Sequence, residues 1–144
     1  MSKTKIICIV GPTASGKTAL SVELAKAVDG EIISADSMQV YKDMPIATAV
    51  ATKEEKQGIP HHLTEFLDAD TAYSVADFVK DAAEKIKDIT SRGRVPIVVG
   101  GTGLFVDSLA NGVTFGEVGV MQEIRDRLQT LDNEMLYNRL KTLD

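Results

Sequence analysis

The chain has 144 residues, of which 44% are hydrophobic and 26% charged, and its net charge is −5. These values predict about one globular domain and exclude a protein that binds nucleic acid mainly through bulk positive charge. One cysteine excludes an internal disulfide, and without an apolar run near the roughly 20 residues of a membrane span we expect a cytoplasmic protein with no membrane contact.

A glycine-rich loop follows the first apolar run. Residues 5–10 predict a buried parallel strand in which Cys8 is a small core residue. Residues 11–18 then fit G-x-x-x-x-G-K-S/T, in which backbone N–H groups surround phosphate oxygens, the lysine adds charge and the last hydroxyl suits Mg²⁺. The predicted phosphate-binding residues are Gly11, Pro12, Thr13, Ala14, Ser15, Gly16, Lys17 and Thr18, with Thr18 as the Mg²⁺ ligand.

A helix and a second strand are predicted next. Leu20, Leu24 and Val28 recur at helical spacing, and residues 31–34 form a short apolar run that leads into Asp36. Ligands of open α/β sheets bind beyond the carboxyl ends of the strands, so Asp36 is expected to face the same crevice as the glycine loop. Its position is equally compatible with a general base or magnesium partner and with a cap of a local turn.

Residues 42–72 resemble a long loop, in which His61 and His62 are expected to form hydrogen bonds, position substrate or pack rather than bind zinc. Ser74 and Asp77 predict the capped start of an amphipathic helix. Its expected buried face is Val75, Val79, Ala82, Ile86 and Ile89.

The third predicted strand, residues 95–99, ends in Gly100 and Gly101, which permit close approach of another backbone or a ligand. Thr102 is expected to cap a helix over 104–110 and to be able to present its hydroxyl to the crevice. Beyond residue 112 the pattern predicts two short amphipathic helices, over 120–130 and 133–143.

Five blocks together resemble the tRNA dimethylallyltransferases, also called isopentenyl-tRNA transferases. They are Gly-Pro-Thr-Ala-Ser-Gly-Lys-Thr at 11–18, Ile-Ser-Ala-Asp-Ser-Met-Gln-Val-Tyr at 33–41, Gly-Ile-Pro-His-His-Leu at 58–63, Tyr-Ser-Val-Ala-Asp-Phe at 73–78 and Pro-Ile-Val-Val-Gly-Gly-Thr-Gly-Leu at 96–104. The resemblance implies an α/β, P-loop NTPase-like parallel sheet flanked by helices over 1–112. It also implies that 113–144 begin a helical tRNA-binding region, in a chain about half the family's usual length.

The resemblance further implies transfer of a dimethylallyl group from dimethylallyl diphosphate to N6 of an adenosine beside the tRNA anticodon, by a monomer that uses Mg²⁺. The loop would then hold the donor's diphosphate. The implied catalytic residues are Asp36 as base, Lys17, Thr18 and Thr102. The implied tRNA contacts are Asp36, Ser37, Met38, Gln39, Thr102 and Arg125.

Three positions depart from the family pattern: Ala47, Val50 and Phe105 stand where glycine, lysine and tyrosine are usual. The lost lysine removes a possible phosphate or RNA contact. Three alternatives remain: a P-loop kinase of a small metabolite, which would use ATP, a prenyltransferase acting on free adenine nucleotides, and a nucleotide-binding module without chemistry of its own.

Overall fold

The computed structural model describes residues 4–112 and 122–143, and the chain divides into two compact units, Met1–Val113 and Thr114–Asp144. The first unit contains four strands and five helices among its described residues. The strands are β1 (Ile7–Val10), β2 (Gly30–Ser34), β3 (His61–His62) and β4 (Val95–Gly100). The helices are α1 (Lys17–Val28), α2 (Pro45–Thr48), α3 (Lys53–Lys56), α4 (Val75–Ser91) and α5 (Gly103–Ala110).

The four strands form one parallel sheet in the order β1-β4-β2-β3. Neighbouring residues of a strand point to opposite faces, so Ile32 joins the core beneath α1 while Ile33 joins the core beneath α4. On the α4 face, the rings of Phe78 and Phe105 stack with centroids 4.4 Å apart. The predicted α/β sheet with helices on both faces is confirmed.

The first strand and the first helix are less buried than predicted. Cys8 is exposed and Val10 is 57% exposed, so the prediction of a buried strand with Cys8 in the core is wrong. Within the described part of the chain β1 is an edge strand with β4 as its neighbour, which leaves alternate side chains uncovered. On α1 the buried residues are Ser21, Val22 and Ala25, and the predicted Leu20 is 60% exposed.

The segment predicted as a loop contains the short elements α2, α3 and β3, of two to four residues each, too short to show a hydrophobic period. The cap of α4 is confirmed. The Ser74 hydroxyl accepts a hydrogen bond from the Asp77 backbone N–H, and the Asp77 carboxylate accepts one from the Ser74 N–H. Of the buried α4 residues, the sequence pattern missed Phe78.

A buried carboxylate lies at the amino end of the sheet. Glu31 in β2 is only 1% exposed, and it accepts hydrogen bonds from Arg92 and from Arg94, the latter at 2.8 Å. His62 Nε2 lies 2.7 Å from the same carboxylate, which confirms a hydrogen-bonding role for that histidine. The Arg92 contact, opposed by burial and assisted by His62 and Arg94, holds the pKa of Glu31 well below its usual value.

Glu31 is therefore expected to make the protein acid-sensitive. Because its folded-state pKa lies below the unfolded value of 4.5, its contribution to the free energy of unfolding is present above that pH and is lost as pH falls below it. Glu31→Gln should lower the free energy of unfolding by about 1–3 kcal/mol at pH 7. It should also flatten the loss of stability between pH 5 and pH 3, measured at intervals of about one pH unit. Urea unfolding across this range measures both, and parallel profiles for the two proteins would contradict the assignment.

The second unit contains α6 (Gln122–Gln129) and α7 (Asn133–Lys141), which confirms two short helices there. Asp132 caps α7 by accepting a hydrogen bond from Met135 N at 2.8 Å. Exposed apolar side chains on this unit are Ile124, Met135, Tyr137, Leu140 and Leu143. None of the helices in the described ranges has the length and apolarity needed to cross a membrane.

Candidate active site

The glycine-rich loop of residues 11–16, called the phosphate loop here after its predicted ligand, connects β1 to α1, and its backbone has unusual torsion angles. Ala14 and Gly16 both have left-handed φ values, of 61° and 83°. The Ser15 hydroxyl and the Lys17 ammonium both donate hydrogen bonds to the Pro12 carbonyl, at 2.8 and 2.5 Å, and so close the loop. Gly16 is the N-cap of α1 and provides no side-chain cap, so the first N–H groups of the helix are available to an anion.

Asp36 lies just beyond the carboxyl end of β2, and its two carboxylate oxygens have different environments. Oδ1 accepts hydrogen bonds from the backbone N–H groups of Met38 and Gln39, at 2.9 and 3.3 Å. Oδ2 accepts no hydrogen bond from the residues that the structure describes. The predicted turn cap is therefore present on one oxygen, while the other is available for chemistry.

One cavity of about 150 Å³ joins this carboxylate to the phosphate loop. The structure thus brings together Lys17, Thr18 and Asp36, which the sequence places up to 19 positions apart. The full lining is Thr13, Ala14, Lys17, Thr18, Asp36, Gln39, Thr48, Ala49, Val99, Gly100 and Gly101. Thr48 and Ala49 were not predicted as site residues.

The floor of this cavity is the glycine pair at the end of β4. A Cβ atom on Gly100 would lie 2.1 Å from the carbonyl oxygen of Ala35, so only glycine fits beneath the residue that precedes Asp36. The backbone also ties the two strands here, because Ala35 N donates to Val99 O at 2.8 Å. The predicted close approach of another backbone is confirmed at Gly100.

Thr102 stands at the N-cap position of α5, but its hydroxyl makes no capping hydrogen bond. Its Oγ1 instead accepts a hydrogen bond from the Ser37 backbone N–H at 3.1 Å. Thr102 therefore occupies the predicted N-cap position, but the predicted capping hydrogen bond is absent. Thr102 holds the turn that carries Asp36.

The residues implied to contact tRNA fall into two groups. Ser37, Met38, Gln39 and Thr102 lie in or against the Asp36 turn, where Met38 is 51% exposed. Arg125 is exposed on α6, in the other compact unit. Their contacts with tRNA stay predictions.

The three departures from the family pattern differ in setting. Phe105 is buried in the core, where its ring stacks on Phe78 without a tyrosine hydroxyl. Val50 is also buried, at 8% exposure, whereas Ala47 is exposed. An apolar side chain therefore suits positions 50 and 105 in this chain.

Comparison with known proteins gives a consistent picture. Residues 39–144 match the family model described as IPP transferase. The tRNA dimethylallyltransferases of Streptococcus pyogenes serotype M28 and Macrococcus caseolyticus are each 51% identical, over 98% and 100% of this chain. The chain spans about half the length of the curated relatives it matches, 48% and 47% of these two.

Solved structures resemble the chain in fold as well as in sequence. The full-length tRNA isopentenylpyrophosphate transferase of Bacillus halodurans is 44% identical, with a TM-score of 0.79 over 99% of this chain and 48% of that one. A eukaryotic dimethylallyltransferase acting on tRNA is 39% identical, with a TM-score of 0.86 over 99% of this chain and 36% of that one. These neighbours share the P-loop NTPase-like arrangement of the sheet.

Proposed function

Because this chain belongs to the IPP transferase family, we propose that it supplies the phosphate loop and catalytic base of a tRNA dimethylallyltransferase. The reaction moves a dimethylallyl group from dimethylallyl diphosphate to N6 of an adenosine next to the anticodon. The observation that carries the proposal is the single cavity of about 150 Å³ shared by Lys17, Thr18 and Asp36. It supports the proposal because a predicted anion site and a carboxylate line the same cavity.

The chain's residues divide the chemistry between them. Backbone N–H groups of the loop and the Lys17 ammonium hold the diphosphate and stabilise its charge as the carbon–oxygen bond to the prenyl group breaks. The adenine nitrogen forms the new bond to that carbon and loses a proton, which Oδ2 of Asp36 accepts. Thr102, through Ser37 N–H, keeps the Asp36 turn in place. Pyrophosphate and the prenylated adenosine are the products.

Mg²⁺ fits the oxygen donors of this cavity. The Thr18 hydroxyl is a hard oxygen donor on its wall, and the described residues contain no group of three or more His, Cys, Asp or Glu side chains that could hold a metal ion. That is the pattern of an ion that keeps its waters and substrate phosphates as ligands. When bound, Mg²⁺ would neutralise charge on the departing pyrophosphate, with Thr18 as its protein ligand.

Transfer of label from the prenyl donor distinguishes the proposed function from its alternatives. A full-length family relative is incubated with labelled dimethylallyl diphosphate and either unmodified tRNA or AMP, and separately with ATP and candidate small metabolites. We expect label on tRNA alone. Label on AMP would identify a nucleotide prenyltransferase, and a phosphorylated metabolite would identify a kinase. The absence of product in every incubation would identify a binding module.

Lys17→Ala is expected to weaken binding of Mg²⁺–pyrophosphate by this chain about 10- to 100-fold, because it removes a charge-assisted contact worth about 1.5–3 kcal/mol. Isothermal titration calorimetry measures the change. Lys80→Ala, which removes an exposed lysine from α4, is the charge-matched control and should bind like the wild type. Equal affinities for all three proteins would remove the loop from the proposed site.

A further inference from the structure

The side-chain amide of Gln39 makes its hydrogen bonds within the chain. Its oxygen accepts a hydrogen bond from the Ser34 hydroxyl at 2.9 Å, at the carboxyl end of β2. Its nitrogen donates to the carbonyl oxygens of Thr48 and Ala49, at 3.1 and 3.3 Å. An amide group has two N–H donors and one acceptor oxygen, so these contacts occupy most of its capacity.

The main chain of Gln39 is held at the same point. Its N–H donates to Oδ1 of Asp36, and its carbonyl accepts a hydrogen bond from Glu65 N at 2.8 Å. Gln39 therefore joins three parts of the cavity: the end of β2, the turn that carries Asp36 and the segment at Thr48 and Ala49.

That last segment has little regular structure of its own. It follows the four-residue helix α2, and Ala49 has a left-handed φ of 50°, which is uncommon for a residue with a side chain. Thr48 and Ala49 nevertheless form the cavity wall shared with Lys17 and Thr18. A strained segment keeps such a conformation only when its surroundings hold it there.

We propose that Gln39 is a positioning residue that holds Thr48 and Ala49 as a wall of the diphosphate cavity, and so sets the space between the phosphate loop and Asp36. The inference rests on the proposed function, because it assigns the cavity to the donor's diphosphate. It differs from the tRNA contact that family resemblance implies for Gln39. To read a base edge, this amide would have to give up bonds to Ser34, Thr48 or Ala49.

The test compares Gln39→Met, which is similar in size but cannot form these bonds, with Gln39→Glu, which keeps the acceptor and places negative charge against two carbonyls. Gln129→Met, at an exposed position of α6, is the matched control. Amide hydrogen exchange at residues 48–51 is measured without ligand, and Mg²⁺–pyrophosphate affinity by calorimetry. Urea unfolding checks that each protein is folded. If Gln39→Met does not fold, the comparison of Gln39→Glu with the wild type tests the positioning role.

We expect both Gln39 variants to exchange residues 48–51 at least about tenfold faster and to bind pyrophosphate at least about fivefold more weakly, with the control unchanged; tenfold corresponds to about 1.4 kcal/mol. Unchanged exchange, or faster exchange with unchanged pyrophosphate affinity, would overturn the positioning role. Loss of tRNA affinity alone, measured at the equivalent position of a full-length relative, would also overturn it. Failure of the wild type to bind pyrophosphate would instead refute the proposed function. Amide hydrogen exchange at residues 48–51 would then be the only test of whether Gln39 holds this segment.

Discussion

Asp36→Asn, made at the equivalent position of a full-length family member, is expected to lower single-turnover prenyl transfer at least about 100-fold. Asparagine keeps an Oδ1 that can accept the N–H groups of Met38 and Gln39, so the turn is preserved. What disappears is the carboxylate at Oδ2, the group that accepts the proton from the adenine nitrogen. An aromatic amine is a weak nucleophile, so loss of its base slows the bond-forming step itself.

Affinities for the donor and for tRNA, measured on the same variant, serve as internal controls and should change little. The measurement separates the two predicted roles of this residue. A fall in rate of less than tenfold, or a loss confined to donor binding, would mean that Asp36 serves only as a turn cap or magnesium partner.

Gly100→Ala is expected to lower the free energy of unfolding by about 3 kcal/mol or more, at the upper end of overpacking substitutions. The added Cβ would lie 2.1 Å from the Ala35 carbonyl oxygen and 2.5 Å from its carbon. Both atoms belong to the main chain of an adjoining strand end, which cannot turn aside as a flexible side chain can. Relief requires β2 and β4 to separate where Asp36 begins.

Gly103→Ala is the control, because a Cβ atom there meets nothing within 4 Å and the residue opens helix α5. We expect it to leave stability unchanged or slightly raised, since alanine favours the helix over glycine. Urea unfolding at neutral pH measures both variants. Equal stability of the two would show that the strand ends tolerate separation and that the Gly100 contact is not a constraint.

Local patterns predicted the parts of the fold that local residues determine. The phosphate loop, the Ser74 cap and the apolar strands β2 and β4 each have a signal within a few neighbouring residues. The exposure of Cys8 and Leu20 could not be predicted in this way, because it depends on which strand lies at the sheet edge and how α1 packs on the sheet. An apolar run looks the same in either place.

The sequence predicted that the glycine loop and Asp36 face one crevice, but it did not predict that Thr48 and Ala49 line the same cavity. The loop motif and the position of Asp36 after a strand were enough to place both at one crevice. Glu31 with Arg92, Arg94 and His62 was missed because its partners lie 31 to 63 positions away. Ser37 and Thr102 are 65 positions apart, so no local pattern reveals the hydrogen bond between them either.

The strand order also sets the distance between the phosphate loop and Asp36. The phosphate loop follows β1 and Asp36 follows β2, while β4 lies between them and ends at Gly100, with Gly101 next in the chain. Neighbouring strands are about 4.8 Å apart, so the two groups start about 10 Å from each other. Under the proposed function, the diphosphate of the donor and the carbon bonded to it would span this separation. The separation of the two groups is thus set by the sheet and not by the side chains that would contact a ligand.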